Sequence, residues 1–252
     1  MSHFIIPDLL RFYNKSYNAE DVDWRRVSAK DKADHIVDAL KGEFDELHTF
    51  LEVGCGTGDI LAHLAGQWPE KKFSGVEIGA PRQTRDPRFA NLTNMHVAGY
   101  DGTHLPYGDG SIDVVYASHV LEHVLDERGF LRELRRVARK YVIIEVPCEQ
   151  TLFGNVRKLQ PSLNIGHINC YSPESLLLTL ETSGLTCTTF QRWDHSLDVL
   201  KFDGKVAAYL KLAIRRAAAS LLPTLAPKLF CYHFTAKCER AAFLNIDPNS
   251  HI

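Results

Sequence analysis

The feature that most constrains this chain is the run Phe50-Leu-Glu-Val-Gly-Cys-Gly-Thr-Gly-Asp59. An apolar stretch breaks into glycines at alternate positions, 54, 56 and 58, and a helix-like run, Ile60 to Ala65, follows at once. Glycine carries no Cβ, so this spacing lets a strand turn sharply into a helix and lets a ligand approach bare backbone. Strand-like and helix-like runs then alternate. The strand-like runs are 49–54, 72–78, 94–99, 112–118 and 141–146; the helix-like runs are 59–67, a short or irregular one near 82–90, and 127–139. Phe130, Leu131, Leu134 and Val137 give the last of these an apolar face. Alternation of this kind predicts βαβ units and a parallel sheet, with the carboxyl ends of the strands on one ligand-binding edge.

The flanking segments extend this pattern. Ser28 stands at capping-box spacing from Asp31, which predicts a helix start there; Ala33, Ile36, Val37 and Leu40 form its buried face and Gly42 its stop. Ser172-Pro173 reads as an N-cap followed by proline at the first helical position, with Leu176, Leu177 and Leu180 continuing the helix and Gly184 ending it. Strands at 185–193 and 229–238 are expected to pair antiparallel at the sheet edge. Between them lies an insertion, 196–227, with a helical core at 204–222. Its Val206, Leu210, Ala213, Ala217 and Leu221 share one face, and Lys205, Lys211, Arg215 and Arg216 sit largely off it. Such a helix is expected to pack on the domain as a substrate lid or a homodimer contact; the alternative is association with a membrane through 204–222.

Composition excludes several classes. The 252 residues carry a net charge of −2, so nothing global draws the chain to nucleic acid. The six cysteines are scattered without a CxxC pair, which argues against a zinc or dithiol site; no metal is expected. Free thiols suit a reducing compartment. The start, Met-Ser-His-Phe-Ile-Ile-Pro-Asp, does not read as a signal peptide, and no long apolar run suggests a membrane span; the expectation is a cytoplasmic protein.

The loop departs from the dinucleotide fingerprint G-x-G-x-x-G, whose third glycine would fall where Asp59 stands. An NAD-dependent oxidoreductase is therefore the weaker alternative. Glu77, in Gly75-Val-Glu-Ile78, ends the second strand nineteen residues after Gly58. A carboxylate there can accept both hydroxyls of a ribose. In Gly99-Tyr-Asp-Gly-Thr-His-Leu-Pro-Tyr107, Asp101 can accept from an exocyclic adenine amine, and Gly102 opens the backbone to a ring edge. Asp-Gly is also a good turn pair, and both roles can hold together.

Taken in order, these motifs resemble the class I S-adenosylmethionine-dependent methyltransferases, in the small-molecule branch with Leu-Pro-Tyr and Leu-Glu-His type motifs. The resemblance is carried by Glu-Val-Gly-Cys-Gly-Thr-Gly, Val-Glu at strand two, Asp101 before Leu-Pro-Tyr, and Gly-Ser-Ile-Asp113-Val-Val with Ser118-His-Val-Leu-Glu-His123. Phe130-Leu-Arg-Glu-Leu-Arg-Arg-Val137, Tyr141-Val-Ile-Ile-Glu-Val-Pro147 and Gly166-His-Ile-Asn-Cys-Tyr-Ser172 extend it over roughly 49–190. It implies S-adenosylmethionine as cofactor and S-adenosylhomocysteine as product. Glu52, Gly54, Gly56 and Gly58 would wrap the methionine end, Glu77 would hold the ribose, Asp101 and Gly102 would meet the adenine, and Ser118 and His119 would line the pocket beside the sulfonium. Cys55 and Ile78 are counted with the cofactor-binding set. The cofactor has no pyrophosphate, which accounts for the missing glycine.

The implied fold is a Rossmann-like three-layer sandwich: a mostly parallel seven-stranded sheet with an antiparallel last strand. The expected division of a single domain, 1–252, is an N-terminal helical cap (1–48), a cofactor-binding core (49–195), the helical insertion (196–228) and a last strand with tail (229–252). The implied reaction is methyl transfer to a small-molecule or glycan-type acceptor, expected at oxygen; a non-catalytic relative that binds the cofactor is the other alternative. A hydroxyl acceptor needs a base, for which His167 is the first candidate and His119 the second. His123 is expected to pack or to orient a loop. Tyr13, Tyr17 and Trp24 would form either a lid or plain N-terminal packing. Ser118-His-Val-Leu121 stands where amino-directed nucleic-acid enzymes of this fold carry Asn/Asp-Pro-Pro-aromatic, and Pro147-Cys148 follows the fifth strand rather than the fourth, so both argue against nucleic-acid acceptors.

Overall fold

In a computed structural model, which describes residues 19–78, 89–200 and 205–241, seven strands form one sheet. They are β1 (Thr49–Val53), β2 (Lys72–Glu77), β3 (Met95–Gly99), β4 (Ile112–Ser118), β5 (Ala138–Cys148), β6 (Leu185–Trp193) and β7 (Tyr232–Arg240). Their spatial order is β3-β2-β1-β4-β5-β7-β6. β7 runs antiparallel to both its neighbours, and the other pairings are parallel. The order reverses between β1 and β4, so the loops leaving these two strands diverge and open a crevice at their carboxyl ends.

Alternate residues of the central strands serve two cores. Leu51, Val53, Val115, Ala117, Val142 and Ile144 face one layer, where Phe130, Leu131, Leu134, Leu176 and Leu180 pack. Phe50, Val114, Tyr116 and Ile143 face the other, against Ala33, Ile36, Leu40, Leu61 and Leu64. A sheet buried on both sides with a period of two is the expected form of a three-layer α/β fold. The helices are α1 (Ala19–Ala39), α2 (Asp59–Gln67), α3 (Glu127–Val137), α4 (Val156–Asn164), α5 (Pro173–Glu181), α6 (Leu197–Leu200), α7 (Lys205–Leu221) and α8 (Ala226–Leu229). Asp126 caps α3 by accepting from Gly129 N, and Ser172 and Ser175 form a reciprocal capping box on α5. Asp113 ties the sheet together, accepting from the backbone of His48 and Thr49 and from the Arg139 guanidinium.

Two expectations change, and one helix is unexpected. Ser28 does not start a helix: α1 begins at Ala19, and Ser28 is a buried position within it, with Ala29, Ala33 and Ile36 on the same inner side. The helix α4, capped by the Asn155 side chain and with Pro161 inside it, is not among the expected elements. In α7 the apolar face is not the buried one. Leu210 and Leu221 are 64% and 79% exposed, whereas Ala208, Leu212 and Arg215 point inward. Arg215 is drawn in by Asp194, whose carboxylate accepts at 2.7 Å, by the Cys231 carbonyl, and by the Tyr232 ring 4.5 Å away. A desolvated guanidinium with that many partners outweighs the periodicity of a few alanines and leucines. Tyr13, Tyr17, the side chain of Trp24 and most of the 82–90 segment lie outside the described residues.

Candidate functional site

The glycine loop is built as its spacing requires. Gly54, Gly56 and Gly58 have φ of 77°, 51° and 72°, all in the left-handed region that side chains resist. A Cβ on Gly54 would stand 2.6 Å from Val120 Cγ2, so the loops leaving β1 and β4 touch here. Gly54 and Cys55 both donate to the Val76 carbonyl, which pins the turn onto β2. The Cys55 thiol is buried among core side chains and its peptide is already bonded to Val76 and Gly58, so it offers a ligand little.

The two expected carboxylates lie at the ends of β2 and β3. Glu77 accepts from Gly56 N at 2.7 Å and from Ile78 N at 3.0 Å, which fixes the loop and aims the carboxylate at the crevice edge. Asp101 accepts from Thr103 N at 2.8 Å and His104 N at 2.9 Å, and these bonds draw its carboxyl down to about 2. It therefore does hold a turn, and it remains exposed and charged. Gly102, at φ 79°, packs beneath it on Ile78. Glu52 lies deeper. Burial pushes its carboxyl up to about 8, opposed by the Tyr116 hydroxyl 3.3 Å away. Ser118, at the end of β4, has a buried Oγ without a hydrogen-bond partner.

A family model for a methyltransferase domain matches residues 24–189. The chain belongs to the class I S-adenosylmethionine-dependent methyltransferases. It is 36% identical over 118 residues to a demethylmenaquinone methyltransferase of Roseiflexus castenholzii, covering 46% of this chain and 47% of that protein. It is 30% identical over 126 residues to the O-methyltransferase cnsE of Penicillium expansum, covering 46% and 45%. The chain thus spans about half the length of these relatives. Among solved structures, a geranyl diphosphate methyltransferase in complex with GPP and sinefungin superposes with a TM-score of 0.68 at 14% identity, covering 93% of this chain and 98% of that one. At that identity the likeness speaks for the fold.

In this methyltransferase-family chain the crevice beside β4 continues into a band of imidazoles and buried carboxylates. His167 Nδ1 stands 2.8 Å from Glu149 Oε2, and Ser162 donates to the other oxygen of that carboxylate at 2.6 Å. Burial depresses the His167 imidazole, but its bond to Glu149 and the nearby Glu122 charge outweigh burial and raise it. Glu122 Oε1 lies 3.9 Å from His167 Nε2 and 3.4 Å from His119 Nδ1, so one buried carboxylate stands between both candidate bases. His123 bonds the Gly166 carbonyl at 2.9 Å and meets the His167 ring edge-on, as expected of a residue that orients the loop.

Farther along, Glu145 on β5 is fully buried; Oε2 meets His35 Nδ1 at 3.0 Å and accepts from Thr235 at 2.9 Å. His233 on β7 lies 3.2 Å from His119 Nε2, and burial pushes its imidazole down to about 4. Glu122, Glu145, Glu149 and His233 were not singled out from sequence. A carboxylate inside the apolar run Tyr141–Pro147 was the available signal for Glu145. A cleft of about 550 Å³, lined by Gln150, Pro173, Arg192, Pro223, Lys228 and Phe234 among others, includes none of the expected site residues.

Proposed function

We propose that this chain transfers the methyl group of S-adenosylmethionine to an oxygen of a small-molecule or glycan-type acceptor, leaving S-adenosylhomocysteine. The observation that carries the reading is the cradle at the switch point: three left-handed glycines, the Glu77 carboxylate and the unpartnered Ser118 Oγ converge there. When bound, the cofactor supplies a sulfonium methyl open to in-line displacement. The glycine loop and Glu52 would hold its amino-acid end, Glu77 its ribose, and Asp101 with Gly102 its adenine. Ile78 would pack beside the base, and Ser118 would face the reacting end.

His167 is the proposed base for the acceptor hydroxyl. Glu149 fixes the ring through Nδ1, which leaves Nε2 to take the proton as the oxygen attacks. The Glu122 charge, 3.9 Å from Nε2, would stabilise the imidazolium so formed. The relatives include both O- and N-methyltransferases, so the oxygen assignment rests on the His167–Glu149 pair rather than on likeness. Calorimetric titration of the purified chain with S-adenosylmethionine and S-adenosylhomocysteine tests the reading. Micromolar binding of both is expected, and binding of neither would sink it. Labelled methyl transfer across a panel of hydroxylated metabolites and glycans then tests the acceptor class: transfer only to amines or carbon acids would overturn the oxygen assignment.

A further inference from the structure

We infer that His119, Glu145 and His233 form a binding site for a divalent first-row transition-metal ion. Three donor atoms from three different elements converge. His119 Nε2 lies 3.2 Å from His233 Nδ1 and 3.6 Å from Glu145 Oε1, and His233 Nδ1 lies 3.9 Å from the same oxygen. Three atoms so spaced lie on a circle of radius about 2.1 Å, the length of a Zn–N or Zn–O bond, so one ion fits all three at once. Two imidazoles and a carboxylate suit zinc or iron(II) rather than magnesium or calcium, which prefer an all-oxygen set.

The surroundings are those of a metal site rather than of a chance cluster. Glu145 Oε1 is buried and has no hydrogen-bond partner, while Oε2 is held by His35 and Thr235. A carboxylate oxygen left bare in the interior is costly unless something fills it. His119 presents Nε2 to the triangle and turns Nδ1 toward Glu122 Oε1, 3.4 Å away. No hydrogen bond is formed at that distance, but the buried charge favours a proton on Nδ1 and so leaves Nε2 for an ion. His119 is also the one non-glycine among the described residues with positive φ, 57°, an uncommon conformation stabilised by its N–H bond to the Glu145 carbonyl at 2.8 Å. The second convergence of donors, Glu122 with His123 and His167, contains the proposed base and is left to that role.

Three ligands leave coordination positions open, and His119 follows directly on Ser118 at the end of β4. An acceptor oxygen is the class of group that would complete the shell; this last step rests on the methyl-transfer reading, whereas the site itself does not.

The test uses the full chain, stripped with chelator and titrated with Zn²⁺ by calorimetry and with Co²⁺ by absorption. The expected result is about one equivalent bound, with a Co²⁺ spectrum of nitrogen and oxygen ligands. Glu122→Gln, which among the three ligands approaches only the second nitrogen of His119, is expected to weaken binding about 10–100-fold, and His233→Gln or Glu145→Gln more than that. Circular dichroism on each variant separates lost ligation from lost folding; should both ligand variants unfold, the Glu122→Gln affinity and the wild-type stoichiometry decide. Absence of stoichiometric binding would overturn the proposal and identify a hydrogen-bonded histidine pair. Intense thiolate charge-transfer bands would overturn it equally, by moving the ion to cysteine. S-adenosylhomocysteine affinity measured on the same samples keeps the two readings apart: retained cofactor binding without metal binding refutes this site and leaves the proposed function standing.

Discussion

Gly54→Ala puts the glycine cradle to a quantitative test. At φ 77° an alanine incurs about 1–2 kcal/mol of backbone strain that glycine avoids. Its methyl would also stand 2.6 Å from Val120 Cγ2 and 3.2 Å from Cγ1. Overpacking on that scale costs about 1–3 kcal/mol. The less flexible unfolded chain returns about 0.4–1 kcal/mol, so the expected loss is about 2–4 kcal/mol. The clash has an identifiable partner, which makes it separable from the strain. Val120→Ala removes both γ-methyls, and the remaining Val120 Cβ lies 3.5 Å from the new methyl, an ordinary contact. A double-mutant cycle should therefore show a favourable coupling of about 1–3 kcal/mol between Gly54→Ala and Val120→Ala, with the backbone share left over. Urea unfolding of the four proteins, followed by circular dichroism, gives the cycle. S-adenosylhomocysteine titration of the double variant asks whether a methyl in the cradle still blocks the ligand; weakened binding despite recovered stability is expected. Independent, additive effects of the two substitutions would refute the proposed contact, and a Gly54→Ala protein as stable as the parent would refute the strain as well.

The other predictions address the carboxylates and the candidate base. Glu77→Ala should weaken S-adenosylhomocysteine binding by about 1–3 kcal/mol, the scale of lost bonds to a charged group, and unchanged affinity by calorimetry would remove Glu77 from the cofactor site. Glu52, raised to about 8 by burial, holds its proton at neutral pH in the folded chain and gives it up near 4.5 when unfolded. Its folded state thus binds more protons, so its contribution to stability is greatest below about 4.5 and is lost as pH rises to about 8, a trend that Glu52→Gln should flatten in urea titrations. If the cofactor's ammonium draws Glu52 into its ionised form, binding at pH 6.5 releases a proton, and binding enthalpies identical in two buffers of different ionisation heat would count against that contact. His167→Ala should lower turnover about 10²–10⁴-fold with little change in cofactor affinity. The acid limb of the pH–rate profile should follow the raised His167 imidazole, and Glu149→Gln should shift that limb to lower pH; a limb that stays put would separate Glu149 from the base.

The parts of the fold legible in the sequence are those governed by local rules. The strands are short apolar runs bounded by turns, the helix α3 has a strong 3.6-residue period, and Ser172-Pro173 is a start signal in two residues. The proposed cofactor cradle is legible for the same reason: a left-handed glycine or a strand-end carboxylate is a property of one loop. Errors arose where one side chain overrode a pattern. Ser28 has cap chemistry but falls inside α1, on its buried side. Arg215 turns α7 over because Asp194, Cys231 and Tyr232 reach it from outside that helix.

The proposed acceptor side is of a different kind. Glu122, Glu145 and Glu149 are carboxylates embedded in or beside apolar sequence, and each is tolerable in the interior only because imidazoles or hydroxyls from elsewhere reach it. Apart from His119, three residues before Glu122, those partners come from α1, α4, β7 and the loop before α5, which spacing along the chain does not pair. The expectation that no metal is bound rests on cysteine spacing, and the proposed site of His119, Glu145 and His233 lies outside what that rule reads. A generic cradle of backbone and two strand-end acids needs no such long-range pairing. The band of histidines and glutamates does, and it lies next to Ser118 and His119, where the cradle ends. On the proposed reading that band faces the acceptor, where one acceptor must be told from another. Substitutions in that band should accordingly change acceptor choice before they change cofactor affinity.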